Sequence, residues 1–255
     1  MTEIAVHMLS KPTIDSGEVV RYLRGVGAEG WIERRIGRPA GEVLTEFAGR
    51  LCYRSWKPGL NPNVTRVRED IDEYLLNLLR QGHGSVLEHV NVSFVLSGVS
   101  RVLTHELVRH RAGVAVSQES MRYVRVDEGI PFWFPQWARE DEELMERAWA
   151  MLDQMEELQD WLTAHFELDK EGTPFSEKKH KTSFMRRFLP EGVGTSIMVT
   201  ANLRAWRHIV EARTAPGAEE EIRYVAGLIG SKLRETYPAL MSDYEEDWST
   251  PNEKV

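Results

Sequence analysis

Residues 90–99 read Val-Asn-Val-Ser-Phe-Val-Leu-Ser-Gly-Val, and Ser100 follows them directly. β-Branched and aromatic residues dominate that stretch, as a half-buried strand requires. Ser100 is a helix-capping residue, and the apolar period then changes. Val99, Leu103 and Leu107 recur at every fourth position and form one stripe. A strand that passes straight into a helix needs a core built from both element types. The spacing predicts a helix over residues 101–111, with Arg101, His105 and Arg109 on its polar side.

The remaining segments alternate in the same way. Residues 3–9 and 195–201 read as strands, and 123–134 as a strand pair or extended segment. Helices are expected over residues 16–24, 41–52, 68–80, 141–166, 175–188, 203–212 and 219–236. Asp15 or Ser16 would cap the first. Val43, Leu44, Phe47, Ala48 and Leu51 would give the second its buried face. The long segment 141–166 is rich in Met, Trp and Leu, which reads as core packing. Residues 25–39 read as a surface excursion and 57–62 as a loop, and an acidic, loose tail starts near residue 242. Nothing divides the chain, so residues 1–255 are expected to form a single domain.

Bulk properties narrow the function. A net charge of −8 argues against general nucleic-acid coating, and a single cysteine, Cys52, excludes an internal disulfide and a multi-cysteine metal site. No secretory-type apolar segment and no run of about 18 apolar residues occurs, so a cytoplasmic protein without a membrane span is expected.

Against that acidic background stands a cationic run: Arg109-His110-Arg111-Ala112-Gly113-Val114-Ala115-Val116-Ser117-Gln118-Glu119-Ser120-Met121-Arg122-Tyr123. Three guanidiniums can grip phosphate or carboxylate groups in bidentate fashion, and Ala112-Gly113 lets backbone approach a ligand closely. The plain alternative is a solvated face with scattered ion pairs. Flanking Val102, Leu103, Leu107 and Val108, with Val114 and Val116 inside, point instead to a semi-buried run, and buried guanidiniums need partners. On a helix, Arg109, His110 and Arg111 fan at about 100° steps around its end, which favours a ligand or subunit contact there.

Further candidates follow. His83 lies in Gly82-His83-Gly84-Ser85 at a helix end; a helix-dipole contact is its alternative role. His83, His89, His105 and His110 lack metal-ligand spacing, so no metal is expected. Asn202, Arg204 and His208 begin a helix after a strand, where backbone N–H groups point outward, and Arg213 follows; an Asn cap with surface arginines is the rival reading. Cys52 reads as a small buried hydrophobe rather than a nucleophile. No glycine fingerprint for a dinucleotide and no phosphate loop occurs, so a nucleotide's phosphates must be held by side chains. From these residues alone, an RNA-binding patch and a metal-dependent nucleotide hydrolase stay open beside a nucleotide-cofactor enzyme.

Taken together the pieces resemble one family, the flavin-dependent thymidylate synthases. Its hallmark is Arg-His-Arg, seven residues, then Ser-x-Arg-Tyr; here Arg109-His110-Arg111 and Ser120-Met121-Arg122-Tyr123 match, with eight residues between them. His83 with Glu88-His89, Glu106 before the triplet, Arg186 four residues before Pro190, Asn202-x-Arg204 and Arg213 follow in the family's order.

The resemblance implies an α/β fold of α+β type, with a central, mostly antiparallel sheet packed by helices, in a homotetramer with FAD at subunit interfaces. It implies reductive methylation of dUMP to dTMP. Methylenetetrahydrofolate gives the carbon, and tightly bound FAD, reduced by NADPH, gives the hydride, without an enzyme cysteine nucleophile. No nucleic-acid or membrane partner is implied. Arg109, His110, Arg111, Ser85, Gln118, Asn202, Arg204 and His208 would contact FAD, and Cys52 would face it. Glu106, Arg109, Gln118, Ser120, Met121, Arg122, Arg186 and Arg213 would hold dUMP. The catalytic group would be Arg213, Ser120 and His83, with Arg213 stabilising charge on the uracil. The additional residue in the motif leaves Gln118 and Glu119 as rivals for the pyrimidine contact.

Overall fold

The computed structural model describes residues 2–126 and 129–244. The chain runs β1 (Ala5–Ser10), α1 (Ser16–Gly25), a 3-10 helix at Glu29–Arg35, α2 (Ala40–Tyr53), α3 (Ile71–Arg80), a 3-10 helix at Gly84–His89, β2 (Asn91–Ser100) and α4 (Arg101–Leu107). It continues through β3 (Val114–Gln118), α5 (Gln136–Arg139), α6 (Glu142–His165), α7 (Phe175–Met185), a 3-10 helix at Arg186–Phe188, β4 (Gly194–Asn202), α8 (Leu203–Thr214) and α9 (Glu220–Thr236).

The four strands form one antiparallel sheet in the order β1-β2-β4-β3. This is the mixed, largely antiparallel fold that the resemblance implies. Central strands β2 and β4 bury one face. Val92, Phe94 and Leu96 on β2 and Ile197, Val199 and Ala201 on β4 are at most 1% exposed. Trp206 of α8 packs on that face, its ring edge-on to Phe94 at 5.1 Å and its Nε1 donating to the Val92 carbonyl at 3.0 Å. Both central strands pass straight into capped helices. Ser100 Oγ accepts from the Leu103 N–H at 3.1 Å to start α4, and Asn202 Oδ1 accepts from the Ala205 N–H at 2.9 Å to start α8. Because β2 and β4 are antiparallel, α4 and α8 leave from opposite ends of the sheet.

Several expectations are corrected. Helix α4 stops at Leu107, four residues early. The chain must reverse there to lay β3 against β4. Arg109 N–H and His110 N–H bond the carbonyls three residues back, at 3.3 and 3.1 Å, in a tightened exit turn. Arg109, His110 and Arg111 therefore lie in a turn and do not fan around a helix end. Residues 114–118, expected only as part of the ligand run, form an edge strand. Its outer position leaves Val116 44% exposed, so the run is more open than its valines imply. The expected strand pair over 123–134 reduces to a single bridge, Phe132 to Val193; residues 127–128 lie outside the described part.

Helix α2 buries Val43 and Ala48 and packs Leu44 and Phe47 on the core as expected, but its buried surface extends beyond that apolar stripe. Leu51 is exposed, whereas Glu42, Thr45, Glu46 and Arg50 are buried. The presumed surface excursion explains this. Its 3-10 helix inserts Trp31 and Arg35, and Arg35 forks onto Glu46 at 2.5 and 2.6 Å. Arg50 bonds Glu46 at 2.6 Å and the Ser55 carbonyl at 2.6 Å. Ion pairing thus buries charged residues of α2 beside its apolar stripe.

Helix α6 packs as expected, but in smaller clusters and not in the main core. Only Leu152, Gln159 and Leu162 are buried, and Trp161 stands 57% exposed. Its apolar residues pack into two satellite clusters away from the sheet, one around Met121, Ile130, Phe134 and Val193 and one around Leu168 and Met185. Of the tail, Asp243 is tied to Arg207 at 2.5 Å, so looseness does not begin at 242; residues 245–255 lie outside the described part. No helix among the described residues is long and apolar enough to cross a membrane.

Candidate functional site

The exit turn of α4 and the entry turn of α8 meet at one edge of the sheet. Between them opens a cleft of about 600 Å³, lined by Arg109, His110, Arg111, Ala112, Gly113, Val114, Asn202, Arg204, Ala205, His208, Ile209 and Glu88. Six of the residues expected to hold a cofactor converge here from two segments far apart in sequence: Arg109, His110, Arg111, Asn202, Arg204 and His208.

The local chemistry explains the opening. Gly113 has φ +71°, a left-handed geometry, and a Cβ there would run into the Asn202 amide. The Asn202 N–H in turn donates to the Gly113 carbonyl at 3.1 Å, clamping the two turns together. Among the described residues, the side chains of Arg109 and Arg111 have no ion-pair or hydrogen-bond partner, and both are exposed. Arg204 crosses the mouth to Glu88 at 2.6 Å. The cleft therefore offers two unpaired guanidiniums beside a glycine cradle, a donor set suited to a phosphate-bearing ligand.

One wall is better ordered. Arg213, in the last turn of α8, donates from Nε to His110 Nε2 at 2.9 Å and from Nη1 to Glu106 Oε2 at 2.7 Å. Accepting at Nε2 leaves the imidazole proton on Nδ1. Burial, Arg213 and His208 all push the His110 pKa below its ordinary 6.5, so the ring is neutral near pH 7. The His208 ring lies edge-on to His110 at 5.9 Å.

The other expected residues are elsewhere. Gln118 ends β3 and donates to Thr104 Oγ1 on α4 at 3.1 Å. Glu119, its rival, lies on the surface and accepts from the Ser196 N–H at 3.0 Å. Beyond β3, Arg122 Nε donates to Ser183 Oγ at 3.0 Å, and the Arg122 N–H reaches Ser120 Oγ at 3.4 Å. Met121 is buried in a satellite cluster, and together with Arg186 lines a narrow crevice between α6 and α7. From Val114 to Gln118 the strand spans about 13 Å. The expected residues thus fall into two groups at opposite ends of β3. Arg109, His110 and Arg111 stand at one end, and Ser120, Met121, Arg122 and Arg186 at the other.

Ser85 and His83 are exposed around the start of the Gly84–His89 helix, outside the cleft lining, although a Cβ at neighbouring Gly84 would meet the Arg204 side chain. Cys52 sits in the last turn of α2 as expected, but it is exposed rather than buried, because α2 turns its ion-paired face inward. Gly113 stands where the sequence places close backbone approach, whereas sequence reasoning passed over Ile209, an apolar wall residue with no distinguishing signal.

Comparison with known proteins shows the family. The family described as thymidylate synthase complementing protein matches residues 37–239. Among curated relatives, a flavin-dependent thymidylate synthase of Mycolicibacterium gilvum is 38% identical over 219 residues, covering 84% of each chain. Proteins of that name from Mycobacterium avium and Mycobacterium marinum are 37% and 39% identical, each over 80% of both chains.

Proposed function

The chain belongs to the flavin-dependent thymidylate synthase family, and from that membership we propose that it converts dUMP to dTMP by reductive methylation. The carbon comes from methylenetetrahydrofolate, and no enzyme cysteine attacks the uracil. The cofactor is FAD, which supplies the hydride it receives from NADPH. The carrying observation is the cleft at the α4 and α8 turns, with unpaired Arg109 and Arg111 beside Gly113. Those residues suit a dinucleotide diphosphate without a glycine-rich fingerprint.

Within that reading each group has a task. Arg109, Arg111, Asn202, Arg204 and His208 hold the cofactor, and Ser85 and His83 border its exposed side. Glu88 occupies Arg204 and yields to a bound phosphate, a better partner for a guanidinium. Neutral His110 donates through Nδ1 while Arg213 fixes its ring. Arg213 also stabilises negative charge on the pyrimidine, with Glu106 as its orienting anchor. Ser120, Met121, Arg122, Arg186 and Gln118 bind dUMP, Arg122 already aimed by Ser183.

The two half-sites lie about 13 Å apart along an edge strand, which supports a homotetramer in which one copy's Ser120 end meets a neighbour's Arg109 end. The whole chain acts as one synthase unit in the cytoplasm, with small-molecule partners only.

Purified protein is expected to be yellow and to release flavin absorbance on denaturation. Colourless protein that takes up no added FAD would overturn the proposal.

A further inference from the structure

A buried carboxylate outside both half-sites grips the helix that carries Glu106. Glu221 sits in the first turn of α9 and is 2% exposed. Its Oε1 accepts the Ser100 N–H at 2.6 Å, and its Oε2 accepts the Ser100 hydroxyl. That hydroxyl also accepts the Leu103 N–H, so the grip passes directly into the first turn of α4. Farther along α4, Thr104 accepts from Gln118 and Glu106 pairs with Arg213. Burying a carboxylate is costly even when it is bonded, and here it is held by both Ser100 donors.

We propose that Glu221 is a positioning residue: it locks α4 between α9 and the sheet so that Glu106 holds Arg213 where the pyrimidine binds. The inference rests on the reading of Arg213 as a pyrimidine contact. Ser100 is the group facing Glu221 from β2 and α4, and Glu219 is the charged neighbour on α9. Burial pushes the Glu221 carboxyl up to about 7, with Glu219 adding to the rise. The ionised form accepts both Ser100 donors, and the neutral form has one fewer acceptor. The grip is therefore strongest above about pH 7 and weakens below it. Stability moves the other way. A carboxyl raised from its ordinary 4.5 to about 7 holds its proton more tightly when folded, so folding stability falls as pH rises through that window. A purely structural role predicts that function follows stability; positioning predicts opposite pH trends.

The test is Glu221→Gln, a near-isosteric change that cannot titrate. For the flavin-loaded enzyme, kcat/KM for dUMP is measured on wild type and variant across about pH 6 to 8.5. In their ratio the ionisation of dUMP's own phosphate cancels. The ratio of wild type to variant is expected to rise about tenfold with an inflection near 7, while flavin content stays equal. A ratio flat with pH overturns the proposal. Amide exchange at Leu103, measured without dUMP, is the second readout. It should be faster in the variant above pH 7, and equal exchange also overturns the proposal. If wild type failed to turn over dUMP, the functional reading would fall, and the exchange rates would still decide whether Glu221 holds α4.

Discussion

Arg213→Ala is expected to keep its flavin and its reduction by NADPH while losing dUMP turnover by two to three orders of magnitude. Arg213 ties the cleft residue His110 to Glu106, reaching them at 2.9 Å and 2.7 Å. Removing a single stabiliser of developing charge costs about 2–4 kcal/mol of barrier. Here the loss is compounded, because Glu106 would stand unpaired where an anionic nucleotide must bind. The His110 pKa, held down by burial and then by Arg213, would rise in the variant. Arg109→Ala is expected to come out flavin-poor as well as inactive, since Arg109 lines the cleft itself. Flavin content, stopped-flow reduction by NADPH and dUMP turnover separate the two. Flavin-free Arg213→Ala beside yellow Arg109→Ala would reverse the assignment.

The largest expected effect on stability lies far from the cleft. Glu46→Ala should destabilise the fold by about 3–5 kcal/mol, because it strands two buried guanidiniums at once. Arg35 and Arg50 are 5% and 1% exposed and both bond Glu46. They also tie the following loop to α2. Arg35 donates to the Glu69 carbonyl at 2.9 Å, and Arg50 donates to those of Ser55 and Arg68 at 2.6 and 2.5 Å. Urea unfolding at unchanged m-value measures the loss. A cost below about 1 kcal/mol would mean that the cluster behaves like a surface ion pair.

That same cluster shows where reading the sequence stops. Local signals were legible wherever one residue decides a structure. Asp15, Ser100 and Asn202 cap helices as their types predict, and Val99, Leu103 and Leu107 are buried as their spacing predicts. In helix α2 the stripe from Val43 to Ala48 was legible, but Leu51 and the buried Glu46 and Arg50 were not, because a hydrophobic stripe carries no information about charges that meet partners eleven residues away. Helix α4 was drawn too long because its end is set by the return of β3 to β4, a tertiary demand overriding helical periodicity. The exposed Trp161 of α6 was read as core because composition does not say which neighbours exist. At the candidate site, residue identities were legible and their meeting was partly so. Arg109 and His208 converge because Gly113 permits it, whereas Ser120 and Arg186 sit past an edge strand, at a distance that periodicity does not encode.

The most direct test of a site shared between copies uses two damaged chains. Arg109→Ala lacks the cofactor end and Ser120→Ala lacks the substrate end. Each assembled alone is expected to be inactive on dUMP. Co-assembled with different tags and purified on both, they should regain turnover. About one site in four then combines an intact Arg109 end from one chain with an intact Ser120 end from the other. A doubly tagged mixed assembly that binds flavin yet stays as inactive as either parent would contradict the account.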